Sequence, residues 1–302
     1  MSAVDPAADT LSRFVFEHAP IRGAYVALDA ACRDILACHR YPPALARVLG
    51  ELLAASALLA SMLKVDGTLS VQLQGEGAVR LLVVECDARL VLRATAQWND
   101  AAAAMPADAS LCALAGGPER GRLAITLDPR DGGPITQGIV ALEARSVATL
   151  IEHYLAASEQ IASRLLLATA GGRARGLMLQ RLPAARTPET VRWAEVDARL
   201  DALPPGVLQE ATAPAPLLQS LFPGDDLRLF AGQSARFACR CSADRVAAAL
   251  RLIGRAEVLR MVEDDGAVAV HCEFCNRRYA FDTAAARALF DPVGGGKPPA
   301  TH

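Results

Sequence analysis

Apolar positions in the first thirty residues fall in two strand-like runs, one around Phe14, Val15 and Phe16 and one from Gly23 to Leu28, with a break at Pro20 between them. Tyr41, Pro42 and Pro43 then lead into an Ala- and Leu-rich run up to Lys64. Proline suits a first helical turn, where the amide is unpaired in any case. The uncharged part of this run, Leu52 to Leu63, lies between Glu51 and Lys64 and is well short of the ~20 residues that cross a bilayer, so it predicts a buried core helix and no membrane partner.

After Gly67 the spacing returns to alternation. Residues 68–74, 78–85 and 90–96 read as three antiparallel strands, with turns at Gly75 to Gly77 and Asp87 to Arg89. Residues 101–120, broken by Pro106, Gly116, Gly117 and Pro118, read as a loop. A strand pair is expected at 123–127 and 135–142. A helix from about Ser146 to Gln160 follows, capped by Ser146, with Val147, Leu150, Ile151, Tyr154 and Leu155 on one face. A hairpin of residues 165–170 and 176–180 closes this part. The predicted fold class is α+β: an N-terminal mixed or antiparallel sheet packed with helices over residues 1–182, preceded by a short arm expected to be disordered.

The texture changes at Pro183. Seven of the eighteen prolines lie between Pro183 and Pro223, among short apolar helices. Thr187, Pro188 and Glu189 look like a helix start, with a stripe of Trp193, Val196, Leu200 and Leu203 before Pro204 and Pro205. Leu217, Leu218, Leu221 and Phe222 form a second patch. Helices this short hold only when docked on a neighbour. Residues 183–235 therefore read as a helical, Pro-rich linker, which is either a covering layer of the core or an element that melts when its neighbour moves.

A small domain is expected at residues 236–290, with a disordered tail over 291–302. Ser242 caps a helix ending at Gly254, with Val246, Leu250 and Ile253 on one side; a second helix covers Ala256 to Glu263, and a hairpin follows. Some 55 residues with few large apolar side chains make a core that calls for a staple.

Composition narrows the function classes. The 302-residue chain is 52% hydrophobic and 21% charged with a net charge of −2, so it carries no general electrostatic pull on nucleic acid or anionic lipid. Residues 236–290 hold nine arginines against seven acidic side chains, a small excess for a nucleic-acid module. The acidic N-terminus lacks the basic-then-apolar pattern of a secretory signal, which makes the cytoplasm the expected compartment. Thiols there are normally reduced. No P-loop, dinucleotide-binding glycine pattern or nucleophile triad is present, and the chain is expected not to be an enzyme.

Four of the eight cysteines occur as two tight pairs, Cys239/Cys241 and Cys272/Cys275, thirty residues apart. Thiolates at C-x-C and C-x-x-C spacing can converge on one tetrahedral zinc, with Zn–S bonds of about 2.3 Å. Four thiolates on Zn²⁺ carry a net −2, which Arg236, Arg240, Arg245, Arg277 and Arg278 are near enough in sequence to offset. Oxidation would remove the metal and unfold the module, since structural zinc supplies roughly 10–16 kcal/mol in small peptides against the ~5–15 kcal/mol of a whole domain. Disulfides Cys239–Cys241 and Cys272–Cys275 could form locally. His271 reads as a strand residue, and Cys32, Cys38, Cys86 and Cys112 as buried small hydrophobes. The alternatives are a purely structural zinc ribbon, a disulfide framework, a thiol-disulfide oxidoreductase using Cys272 and Cys275, and a zinc-ribbon nucleic-acid-binding protein.

These residues also resemble a bacterial family, the redox-regulated holdase chaperones called heat-shock protein 33 or 33-kDa chaperonins. The likeness includes Tyr41 to Pro43, Ile125 to Pro129, Gln137 to Val140, Glu152 to Tyr154, Ser158 to Gln160, Gly176 to Gln180, and above all the two cysteine pairs followed by Arg277, Arg278, Tyr279, Phe281 and Asp282. Thr136 and Leu155 depart from it, at positions where aromatic residues are expected. The resemblance implies an ATP-independent chaperone, monomeric and inactive when reduced with Zn²⁺ on Cys239, Cys241, Cys272 and Cys275. It implies further that oxidation of these cysteines to disulfides expels zinc, unfolds the linker, favours a homodimer and exposes surface that binds unfolded client proteins.

Overall fold

The computed structural model describes residues 9–63, 66–143, 146–183, 188–204 and 206–291. The arm before Asp9, most of the tail after Phe290, Lys64, Thr187 and Pro205 lie outside them. The chain divides into two compact units, Met1–Ala238 and Cys239–His302.

In the first unit, strands β1 (Thr10–Phe16) and β2 (Ile21–Leu28) form the hairpin expected from the opening alternation. Helix α1 (Ala30–Ala37) follows, and α2 (Pro43–Ala60) starts behind Pro42 as the proline pair predicts. The meander is β3 (Gly67–Gly75), β4 (Val79–Asp87) and β5 (Val91–Trp98). Its alternation is clean in β3, where Leu69, Val71 and Leu73 are buried and Ser70, Gln72 and Gln74 are not. The stretch read as loop contains a short helix, α3 (Leu111–Ala115), closed by Ser110 Oγ accepting from Ala113 N at 3.1 Å and by Gly116 at φ +98°. A five-residue helix leaves no periodicity to read, and its order comes from burying Leu111, Leu114 and Ala115.

Strands β6 (Gly121–Pro129) and β7 (Thr136–Ala141) pair as expected. Helix α4 (Val147–Ser158) is capped by Ser146 Oγ, which accepts from Thr149 N at 3.1 Å. Val147, Leu150, Ile151 and Leu155 are its buried residues, while Thr136 is exposed on β7. The closing hairpin is β8 (Ser163–Ala170) and β9 (Arg173–Arg181). The linker supplies α5 (Pro188–Asp201), α6 (Val207–Glu210) and α7 (Pro214–Leu221). Three short strands follow: β10 (Leu227–Leu229), β11 (Gln233–Ser234) and β12 (Arg236–Phe237). At two or three residues each they carry no sequence signal, and long-range pairing makes them.

The described residues form two six-stranded sheets in this unit. One runs β10-β1-β2-β9-β8, with β11 also on β1; the other runs β12-β5-β4-β3-β6-β7. All pairings among the described residues are antiparallel except β12 on β5. Helix α2 packs against strands of both sheets, and most of its residues are buried in the protein. Its approach to β9 needs Gly176, where a Cβ would lie 2.8 Å from Leu58 Cδ1.

The other face of the β1-β2-β9 sheet is covered by the linker. Val196, Leu200, Leu208, Leu217, Leu218, Leu221 and Phe222 form one buried cluster with Phe14, Phe16, Ile21, Tyr25, Leu177 and Leu179, flanked by the half-buried Trp193 and Leu203. Both predicted stripes thus find their neighbour in the core. Polar contacts reinforce the layer: Arg164 of β8 pairs with Asp197 and Asp201 of α5, and Arg192 and Arg199 of α5 pair with Asp225.

The second unit holds α8 (Ala243–Ile253), α9 (Arg255–Asp265), the hairpin β13 (Ala267–His271) and β14 (Arg278–Asp282), and α10 (Thr283–Ala288). Its buried apolar cluster is Leu250, Val258, Val262, Val268 and Ala286. Leu250 of the predicted α8 stripe is buried and Val246 packs beside it, but Ile253 is 52% exposed because Gly254 turns the chain directly after it. Arg236 and Phe237 belong to β12 in the first unit, and the second begins at Cys239.

Candidate metal centre

Cys239 and Cys241 lie between β12 and α8. Cys241 directly precedes Ser242, whose Oγ accepts from Arg245 N at 3.2 Å to cap α8. Cys272 and Cys275 lie in the turn of the β13-β14 hairpin. That turn closes through Asn276 N to Cys272 O at 2.8 Å and Cys272 N to Arg277 O at 3.0 Å, with Asn276 at φ +55°. Two local turns, one before a helix and one inside a hairpin, thus present four sulfurs to one point.

All four Sγ atoms lie within 4.8 Å of one another, and all four residues are half-buried. Cys239 Sγ is 3.6 Å from Cys272 Sγ, and Cys241 Sγ is 3.4 Å from Cys275 Sγ. A tetrahedron with metal–sulfur bonds of about 2.3 Å has edges of about 3.8 Å, so this set fits a zinc-sized cation with soft thiolate donors. The spacing is far beyond the ~2.05 Å of a disulfide, and no disulfide joins the four.

Charge explains why a cation belongs there. Burial works to raise the Cys241 thiol, but hydrogen bonds from Tyr279 and then from Cys275, Cys239 and Cys272 bring it down to about 7. Its place before the N-terminus of α8 favours the anion as well. Burial first, and then hydrogen bonding to the neighbouring thiols, pushes Cys239 and Cys275 up. One thiolate forms readily and opposes the next, a conflict that a divalent cation removes.

The contact that sequence reading missed is Tyr279, whose Oη donates to Cys241 Sγ at 3.1 Å. Its signal was its place on β14, shortly after Cys275, but nothing in the spacing showed that the ring turns back. Arg277 joins the group: the Tyr279 hydroxyl first, then the charges of Tyr279, Cys241 and Cys275, hold its guanidinium more firmly protonated. His271 ends β13 and is not among the clustered metal-ligating candidates. Of the remaining cysteines, Cys32 and Cys86 are buried as expected, whereas Cys38 and Cys112 are only half-buried. Cys38 caps the end of α1 and Cys112 sits on α3, two short helices that the sequence pattern did not predict.

Comparison with known proteins covers the same ground. The family model described as Hsp33 protein matches residues 9–282. The 33 kDa chaperonin of Chromobacterium violaceum is 42% identical over 284 residues, 94% of either chain. That of Pseudomonas aeruginosa is 39% identical over 299 residues, covering 97% of this chain and 98% of its own. Among solved structures, the crystal structure of a 33 kDa chaperonin from Thermotoga maritima matches with a TM-score of 0.75 at 21% identity, over 93% of this chain and 97% of that one, a likeness of fold.

Proposed function

The chain belongs to the Hsp33 family, and on that premise we propose a cytoplasmic, ATP-independent holdase switched on by oxidation of Cys239, Cys241, Cys272 and Cys275. It is a chaperone by family. The observation that carries the switch is the convergence of these four thiols in a unit whose buried apolar cluster, among the described residues, holds five side chains.

In this reading Cys239, Cys241, Cys272 and Cys275 hold Zn²⁺ in the reduced, monomeric protein. Bound zinc would supply charge compensation for four thiolates and the cross-link that a small core lacks. Oxidation joins the thiolates in two S–S bonds. Four electrons leave the sulfurs, and two peroxide molecules take them up with four protons to give four waters. Once the cluster loses its order only sequence proximity brings sulfurs together, which favours Cys239–Cys241 and Cys272–Cys275.

Residues 1–182 act as the chaperone core, 183–235 as the linker and the four-cysteine unit as its latch. When the linker lifts, Phe14, Phe16, Ile21, Tyr25, Leu177 and Leu179 lose their cover. A contiguous apolar surface of this kind binds other exposed apolar surface, including unfolded clients and a second copy of the chain. A titration with peroxide at mildly raised temperature, following zinc release and light scattering of an unfolding client together, tests the reading. Both signals are expected to change in step. Zinc release with linker opening and undiminished client aggregation overturns it.

A further inference from the structure

Strand β9 carries a charge on its linker-facing side. Arg175 is 2% exposed, on the same face of the strand as Leu177 and Leu179, which pack under the linker. Its Nη1 donates to Asp29 Oδ1 at 2.5 Å and to Ala174 O at 3.1 Å, and its Nε donates to Ala211 O at 2.8 Å. Tyr25, fully buried on β2, donates its Oη to the same Ala211 carbonyl at 2.7 Å. Ala211 ends α6 and stands between the two short linker helices. A single linker acceptor thus receives two donors from the core. An apolar layer can slide, but two convergent donors fix one register, and both lose their partner together if the layer lifts.

The far side of this clamp runs toward the cysteines. Asp9 accepts from Asp29 N with Oδ1 and from Ala31 N with Oδ2 at 2.9 Å, and its own carbonyl accepts from Ala235 N at 2.9 Å. Ala235 is followed by β12, held on β5 through Arg236 N to Leu90 O at 3.0 Å and Ala238 N to Leu92 O at 3.2 Å. The next residue is Cys239.

We propose that the Ala211 carbonyl is the release point of the linker, held by Arg175 and Tyr25 as positioning residues, and that the hydrogen-bond chain Ala235–Asp9–Asp29–Arg175 makes that hold depend on the strand leading into Cys239. The inference rests on the reading that linker release follows loss of the cysteine cluster, and it names the route. Loss of β12 from β5 frees Ala235, Asp9 no longer fixes the Asp29 backbone, and the Arg175 fork loses the carboxylate that aims it at Ala211. The clamp is a two-state contact biased from one end, as coupling between separated elements requires.

The test uses reduced, zinc-loaded full-length protein and amide hydrogen exchange over residues 207–221, with exchange in β3 to β6 and zinc content as controls. Tyr25→Phe removes one donor and keeps the ring. The pair Arg175→Met with Asp29→Asn removes the other without leaving a bare buried carboxylate. Each is expected to speed exchange at 207–221 about fivefold to tenfold, as losing one hydrogen bond implies, with the controls unchanged. Asp9→Ala, which touches no linker helix in this chain of contacts, is expected to do the same and to add nothing on top of the Arg175/Asp29 pair. Unchanged linker exchange in the Tyr25 and Arg175/Asp29 variants, or a fully additive Asp9 effect, overturns the proposal. If the linker opens in the reduced variants and client aggregation is still not suppressed, the clamp stands and the chaperone-switch reading falls.

Discussion

Tyr279 Oη donates a hydrogen bond to Cys241 Sγ across 3.1 Å, tying strand β14 to the sulfur that precedes α8. This joins the two cysteine turns through a side chain as well as through their shared centre. Tyr279→Phe keeps the ring and removes the donor. Zinc affinity, measured by competition with a chromogenic chelator, is expected to fall about tenfold, the lower end of what loss of a hydrogen bond to a metal ligand costs.

The small unit should depend on its ligands far more than on any single apolar side chain. Cys275→Ser is expected to abolish stoichiometric zinc binding and to remove amide protection throughout α8, α9 and the β13-β14 hairpin, while β3 to β6 stay protected. A strong chelator acting on the unaltered protein should reproduce that pattern. Retained protection in the second unit after verified zinc removal would show that its small apolar cluster suffices.

The eight cysteines should separate by reactivity. Cys32 is fully buried and its thiol is pushed up to about 12 by burial first and then by Asp9 and Asp29; burial likewise raises Cys86. Alkylation of the folded, zinc-loaded protein at mildly alkaline pH, read by peptide mapping, should leave these two unlabelled and modify them only after denaturation. Cys38 and Cys112, half-buried, should label first.

The linker layer is held by shape as well as by polar contacts. Phe222 meets Phe16 edge-on, with ring centroids 5.1 Å apart. Phe222→Ala should cost about 3–5 kcal/mol of docking. In the reduced protein this is expected to make residues 188–221 sensitive to brief proteolysis and to give measurable holdase activity without oxidant.

Glu152 of α4 accepts from Leu165 N at 2.6 Å and lies 3.4 Å from Arg164. Burial, the largest influence, raises its carboxyl above the ordinary 4.5, against the Leu165 amide and Arg164, which lower it. The folded state therefore binds more protons than the unfolded one just above pH 4.5, and this group's contribution to stability declines as pH rises through its folded value. Glu152→Gln keeps the acceptor for Leu165 and removes the titration. Urea midpoints taken from about pH 4.5 to about pH 6 should show a shallower decline with pH than in the parent protein.

Period-two alternation placed β3, β4 and β6 within a few residues, because each buries mainly one face. The proline pair placed α2, and Ser146 and Ser242 placed the starts of α4 and α8 through local capping bonds. The four clustered cysteines were legible because two short turns must each point their sulfurs the same way. By contrast α1, α3 and the strands β10 to β12 left no pattern, being too short for periodicity and ordered by partners far away in sequence.

The sequence by itself determined the α+β class, the cysteine pairs, the apolar stripes of the linker and the family to which the chain belongs. The first three are set by local spacing and the last by a likeness of residues and motifs along the chain. Only the tertiary structure decided that α2 lies between two sheets, that the linker closes over Phe14, Tyr25 and Leu177, that Tyr279 turns back onto Cys241, and that Arg175 and Tyr25 meet on the Ala211 carbonyl. Such contacts join residues far apart in the chain, 186 positions for Tyr25 and Ala211, and no spacing rule spans that distance. They exist because buried donors need acceptors and apolar faces need cover, whatever part of the chain supplies them.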